Sequence, residues 1–156
     1  MRTMIRQLAL GFVSGVVLAF VSAAPTTAHA GAPGSMLFSA EDVELKGDWE
    51  AKLKKANLKS LEKKDGEWKL FVVAFLKKAP GAGEVSILFY DAAEKNQADP
   101  NAVMPVSLPA TAKILATSLS FNEEAGVKPG HTYNVVVARK VGGKDEIYAK
   151  AQLALK

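Results

Sequence analysis

His131 is the one histidine that follows His29 in this 156-residue chain, and few other side chains are equipped for chemistry. A Ser-His-Asp arrangement would need it beside a nucleophile, an orienting carboxylate and an oxyanion hole. No Gly-x-Ser-x-Gly elbow marks such a nucleophile, so His131 reads as a turn residue. The absence of cysteine excludes thiol catalysis, thiolate metal sites, disulfide bracing and lipid attachment through a cysteine. One histidine without cysteine leaves zinc or copper short of ligands. The expectation is a protein with no catalytic residue, no cofactor and no metal, and so not an enzyme.

Oxygen donors and aromatic rings offer binding rather than catalysis. Asp91, Glu94, Asn96, Asp99 and Asn101 crowd one polar stretch. Calcium accepts such donors, but their spacing follows no known calcium loop. Trp49, Tyr90 and Tyr148 are rings that could stack on a sugar or anchor a partner. With Asp91, Glu94 and Asp99 they make up the candidate binding set, whereas Trp68 lies in an apolar run and reads as core. Lys52, Lys54, Lys55, Lys59, Lys63 and Lys64 are interleaved with Glu50, Glu62, Asp65 and Glu67. That pattern is a solvated face more than an anion site.

These side chains are positioned by elements that begin after an export segment. Arg2 and Arg6 precede an apolar run over residues 8–21, and Ala28-His29-Ala30 supplies a small-x-small cleavage pattern. Cleavage is expected after Ala30. An uncleaved anchor is the competing reading, because residues 8–24 approach the lower length limit for a spanning helix. Cleavage leaves no stable membrane anchor and places the protein in the periplasm or outside the cell. Removing Arg2 and Arg6 from the 20 basic residues leaves 18 against 16 acidic ones. So small an excess is no footprint for nucleic acid.

Residues 31–35 read as a flexible leader and 36–156 as one domain. A first strand falls within 36–45. Residues 48–56 read as a short helical turn, with Asp48 as N-cap, Trp49, Leu53 and Ala56 on one face, and Asn57 as the stop. The competing reading is a strand that alternates Trp49, Ala51 and Leu53 against Glu50, Lys52 and Lys54. Residues 58–63 and 67–76 flank Lys64-Asp65-Gly66, a hairpin signal. Residues 68–76 are apolar on both faces, as a central strand requires. Further strands follow over 85–90, at the edge near 103–106 (demoted by Pro105) and over 112–121. Residues 92–101 form a long polar loop between them. Strands 133–140 and 146–155 join through Gly142-Gly143. In the last one Ile147, Ala149, Ala151, Leu153 and Leu155 share a face, which leaves Tyr148 with Lys150 and Gln152 facing solvent.

Val127, Pro129, Gly130, Tyr133 and Val135 form a run that resembles the E–F corner of fibronectin type III and related immunoglobulin-like domains. By that resemblance Pro129 and Gly130 shape the turn, and the Tyr133 hydroxyl bonds back to main chain in the preceding loop. The implied fold is an all-β, immunoglobulin-like antiparallel β-sandwich of seven or eight strands. Such an architecture hosts many functions. The expectation is a non-catalytic exported module of the cell envelope that contacts a protein partner through loops or an edge strand. The alternative is a small-ligand or carbohydrate binder using the 92–101 loop with Tyr90 or Trp49.

Overall fold

Alternation of apolar and polar side chains builds most of the molecule. A computed structural model describes residues 31–156, and the expected signal peptide over 1–30 lies outside them. Strand makes up 48% of the described residues and helix 9%, which puts the protein in the all-β class. Strands β1 (Met36–Ser39), β3 (Trp68–Phe75) and β6 (Ile114–Phe121) form one sheet in the order β1-β3-β6. Strands β2 (Ser60–Leu61), β4 (Glu84–Asp91), β5 (Ala102–Ser107), β7 (Thr132–Val141) and β8 (Lys144–Leu155) form the other, in the order β2-β8-β7-β4-β5. One α-helix among the described residues, α1 (Trp49–Ala56), follows β1. Among the same residues, no helix is long and apolar enough to cross a membrane.

Both sheets feed one core. Phe38, Leu70, Val72 and Leu115 from the first meet Ile87, Phe89, Val135 and Leu153 from the second. Strand β3 is buried along both faces because its other side is covered too. There Phe71, Val73 and Phe75 pack with Leu53 of α1, and Trp49 stacks on Phe75 with centroids 6.2 Å apart. The helix is therefore the lid of a second, smaller apolar cluster. Asp48 stands at its N-cap without a capping hydrogen bond and instead pairs with Lys52. Asn57 ends it, accepting the Phe38 N–H on its side-chain oxygen at 3.0 Å.

Several expectations need correction. The pairing is not wholly antiparallel, since β2 runs parallel to β8. Lys64-Asp65-Gly66-Glu67 is a tight turn with positive φ at Asp65 and Gly66, closed by a Lys64–Glu67 bridge. Its flanks nevertheless do not form a hairpin. Strand β3 already has β1 on one edge and β6 on the other, so the preceding segment crosses to the vacant edge of β8. Residues 31–35 are tied in rather than loose. Gly34 N–H donates to Phe75 at 2.6 Å, and its carbonyl accepts from Lys150 at 3.0 Å, which links the two sheets.

Tyr148 is buried, not solvent-facing, and Ile147 is 46% exposed. The cause is a bulge: Val137 pairs with Ala149 but Ala138 pairs with Ile147, leaving Tyr148 as the extra residue. One added residue reverses the phase of everything before it in the strand. The Tyr148 hydroxyl donates to Glu146 at 2.5 Å, and Lys78 pairs with the same carboxylate. Burial, and then the Glu146 contact, push the Tyr148 phenol above its ordinary value.

Candidate functional site

The site begins where β4 ends. Asp91 is buried there among donors: its Oδ1 accepts the Ala93 N–H at 2.9 Å, and its Oδ2 accepts His131 Nδ1–H at 2.6 Å. The backbone bond from Ala93, with the His131 ring second, holds its carboxyl below the usual carboxylate range. Its own N–H donates to Asn101 Oδ1 at 2.7 Å, and Asn101 N–H donates to Phe89 at 2.7 Å. Both ends of the 92–101 loop are thereby fastened. His131 also lies over Tyr133, whose hydroxyl accepts the Lys128 N–H at 2.8 Å. The Pro129-Gly130 turn is held in turn by Gly130 N–H, which donates to Leu155 at 2.7 Å, with Gly130 at φ 82°. His131 is thus no isolated turn residue: it joins the loop to the corner.

A pH dependence follows from this arrangement. The folded Asp91 pKa lies below its unfolded value of about 3.9, so its stabilisation is complete above that value and is lost as pH falls through the folded one. At pH 7, Asp91→Asn is expected to be less stable by about 1.5–3 kcal/mol. Urea unfolding from pH 7 down to about pH 3 should show that gap narrowing only below about pH 4. Parallel profiles for the two proteins would sink the assignment.

Strands β4 and β7 each carry apolar side chains on both faces, so the outer face of the five-stranded sheet has an apolar patch at its middle. Leu88, Val136 and Ala138 form a buried cluster there with Tyr90 packed on it. Above this floor lies a depression of about 330 Å³, walled by Glu94, Asn96 and Gln97 of the loop and by Asp145 and Ile147 of β8. Tyr90 spans it, its hydroxyl 3.4 Å from Asp145. Burial first, and then Asp145, raise the Tyr90 pKa. Its lining includes Asp91, Glu94 and Asp145 and no lysine or arginine; Lys140 faces an adjoining hollow beyond Ala138.

Gln97 adds a directional feature. Asn101 Oδ1 accepts from the Asp91 N–H, so the Gln97 atom 3.0 Å from that oxygen must be its donor, Nε2. Gln97 Oε1 is then a buried acceptor with no hydrogen-bond partner among the described residues, a costly state that a donor would relieve.

Of the candidate binding residues, Tyr90, Asp91 and Glu94 come together here. Asp99 is exposed in the same loop but does not line the depression. Trp49 is half-buried as the first residue of α1, stacked on Phe75, and Tyr148 is in the core. Asp91 and Asn101 spend their oxygens on His131 and on backbone and side-chain donors, and no three acidic or histidine side chains converge on a metal position among the described residues. Gln97, Asn134 and Asp145 escaped sequence reasoning. The available signal was the paired outward apolar residues Leu88 and Tyr90, Val136 and Ala138, which mark a covered or recessed face. Comparison with protein-family models, curated proteins and solved structures found no match.

Proposed function

We propose that this protein is an exported, non-catalytic binding module of the cell envelope, with an immunoglobulin-like sandwich spanning residues 36–156. The fold reading is supported by strand order. A β1-β3-β6 sheet facing β8-β7-β4-β5, with a tyrosine bonded into the loop before β7, resembles that architecture. Export rests on the charged, apolar and small-residue sequence of residues 1–30.

The observation that carries the function is the depression beneath the 92–101 loop, with its apolar floor and its acidic rim of Glu94 and Asp145. It suits a protein partner that inserts a basic side chain: an aliphatic stem on Leu88 and Val136, a cationic donor toward Asp145 and Tyr90. The volume also falls in the range of small-molecule sites, which favours a sugar or other small ligand as the second reading.

Amide NMR of the purified protein tests both. Short lysine- or arginine-bearing peptides should shift the resonances of Tyr90, Gln97 and Asp145, with weakening as salt rises. Asp145→Lys should reduce their affinity about tenfold. Neutral sugars moving the same resonances while basic peptides do not would transfer the site to the second reading. Silence toward both would remove the site.

A further inference from the structure

The two sheets have four outer strands, and three of them are blunted. Strand β1 has four residues, β2 has two, and β5 carries Pro105, which lacks an N–H. Strand β6 differs. It runs eight residues, Ile-Leu-Ala-Thr-Ser-Leu-Ser-Phe, with no charge, no proline and no bulge in its register with β3. Bare edges of this kind are templates for another strand.

The ladder fixes what this edge presents. Leu76 N–H donates to the Lys113 carbonyl at 2.8 Å, so odd-numbered residues of the strand direct their amides toward β3. Ile114, Ala116, Ser118 and Ser120 direct theirs away from it. Two of these residues bond within their own copy through side chains: Ser118 Oγ donates to Asp42 and Ser120 Oγ to Glu67.

We propose that β6 pairs antiparallel with β6 of a second copy of this chain, joining two three-stranded sheets into one of six. A two-fold axis at Thr117 sets Ile114 opposite Ser120 and Ala116 opposite Ser118, which engages all four outward residues and keeps the two cores on the same side of the sheet. The flanking charges select this occupant. Lys113 precedes the strand, and a 3-10 turn follows it with Glu123, which pairs with Lys63 of its own copy, and Glu124. Antiparallel self-pairing brings each lysine diagonally toward Glu124 of the other copy, and the strand itself carries no charge to repel its twin.

Sedimentation equilibrium of the purified protein, from about 10 µM to 1 mM because so small an interface is weak, should show a monomer–dimer equilibrium. Ala116→Pro deletes an outward N–H without touching the β3 ladder. It should weaken the dimer about tenfold or more while leaving the circular dichroism spectrum unchanged. Lys113→Glu and Glu124→Lys should each weaken it about two- to fivefold, and the double charge swap should restore it. That swap also tests the geometry should the proline variant fail to fold. A wild-type monomer throughout the range, whether its edge stays bare or takes a strand from another protein, overturns the proposal. So does a dimer indifferent to both Ala116→Pro and the charge variants.

Discussion

Gly126→Ala is expected to lose about 3–4 kcal/mol of stability, combining backbone strain with a steric clash. Gly126 ends the 3-10 turn Glu123–Ala125 at φ 101°, a conformation that disfavours a side chain. The decisive fact is what lies beside it. A Cβ there would sit 2.0 Å from the Asn101 carbonyl oxygen, well inside contact distance and against backbone, which has little room to yield. Displacing Asn101 would also disturb its bonds with Asp91 and Gln97, so the change should reach the depression. Gly81→Ala is the control. It has φ 67°, and a Cβ there would meet nothing within 4 Å, so only the conformational cost of about 1 kcal/mol applies. Thermal melts should separate the two by roughly 6–12 °C. Equal losses would show that conformation, not proximity, dominates at Gly126.

Trp68→Ala is expected to cost about 3–5 kcal/mol, enough to consume much of a typical domain's margin. The ring is fully buried, packs on Phe121 at 5.8 Å and carries the Lys63 ammonium 5.1 Å from its centroid. Its indole N–H donates to the Lys156 carbonyl at 3.0 Å. Trp68→Phe should cost far less, about 1–2 kcal/mol. The reason is specific: the Lys156 carbonyl also accepts from Lys63 N–H at 3.0 Å, so losing the indole does not orphan it. Urea midpoints for the two variants measure the difference. Similar losses would mean that the hydrogen bond outweighs the packing.

Much of the strand content is legible in the sequence because it rests on local chemistry. Alternation marks β6, two positive-φ glycines mark the β7–β8 turn, and a run apolar on both faces marks β3 as central. The helix is only half legible, because Trp49 and Leu53, which both reach the cluster on β3, would share a face in a strand as well. What escapes is non-local. A period-two pattern carries no sign of an inserted residue, so alternation alone puts Tyr148 and Ile147 on the wrong faces. Strand β2 joins β8 because a distant edge is vacant, and an Asp-Gly signal reports only the turn. The candidate site is half legible: Tyr90, Asp91 and Glu94 are near neighbours in sequence. His131 joins Asp91 from 40 residues away and Asp145 faces Tyr90 from 55, distances at which residue type alone gives no pairing.

Strand β8 has a bearing on biosynthesis. It lies inside its sheet, between β2 and β7, and its backbone also bonds residues 34 and 77. Residues drawn from the whole described chain therefore depend on a segment that the ribosome makes after all of them. Until it emerges, β7 lacks its longest partner and β2 has no partner at all among the described strands. At about 5–20 residues per second, the incomplete chain spends several seconds without its native pairing. Over that interval the sheet of β4, β5 and β7 stands without the strand that completes it.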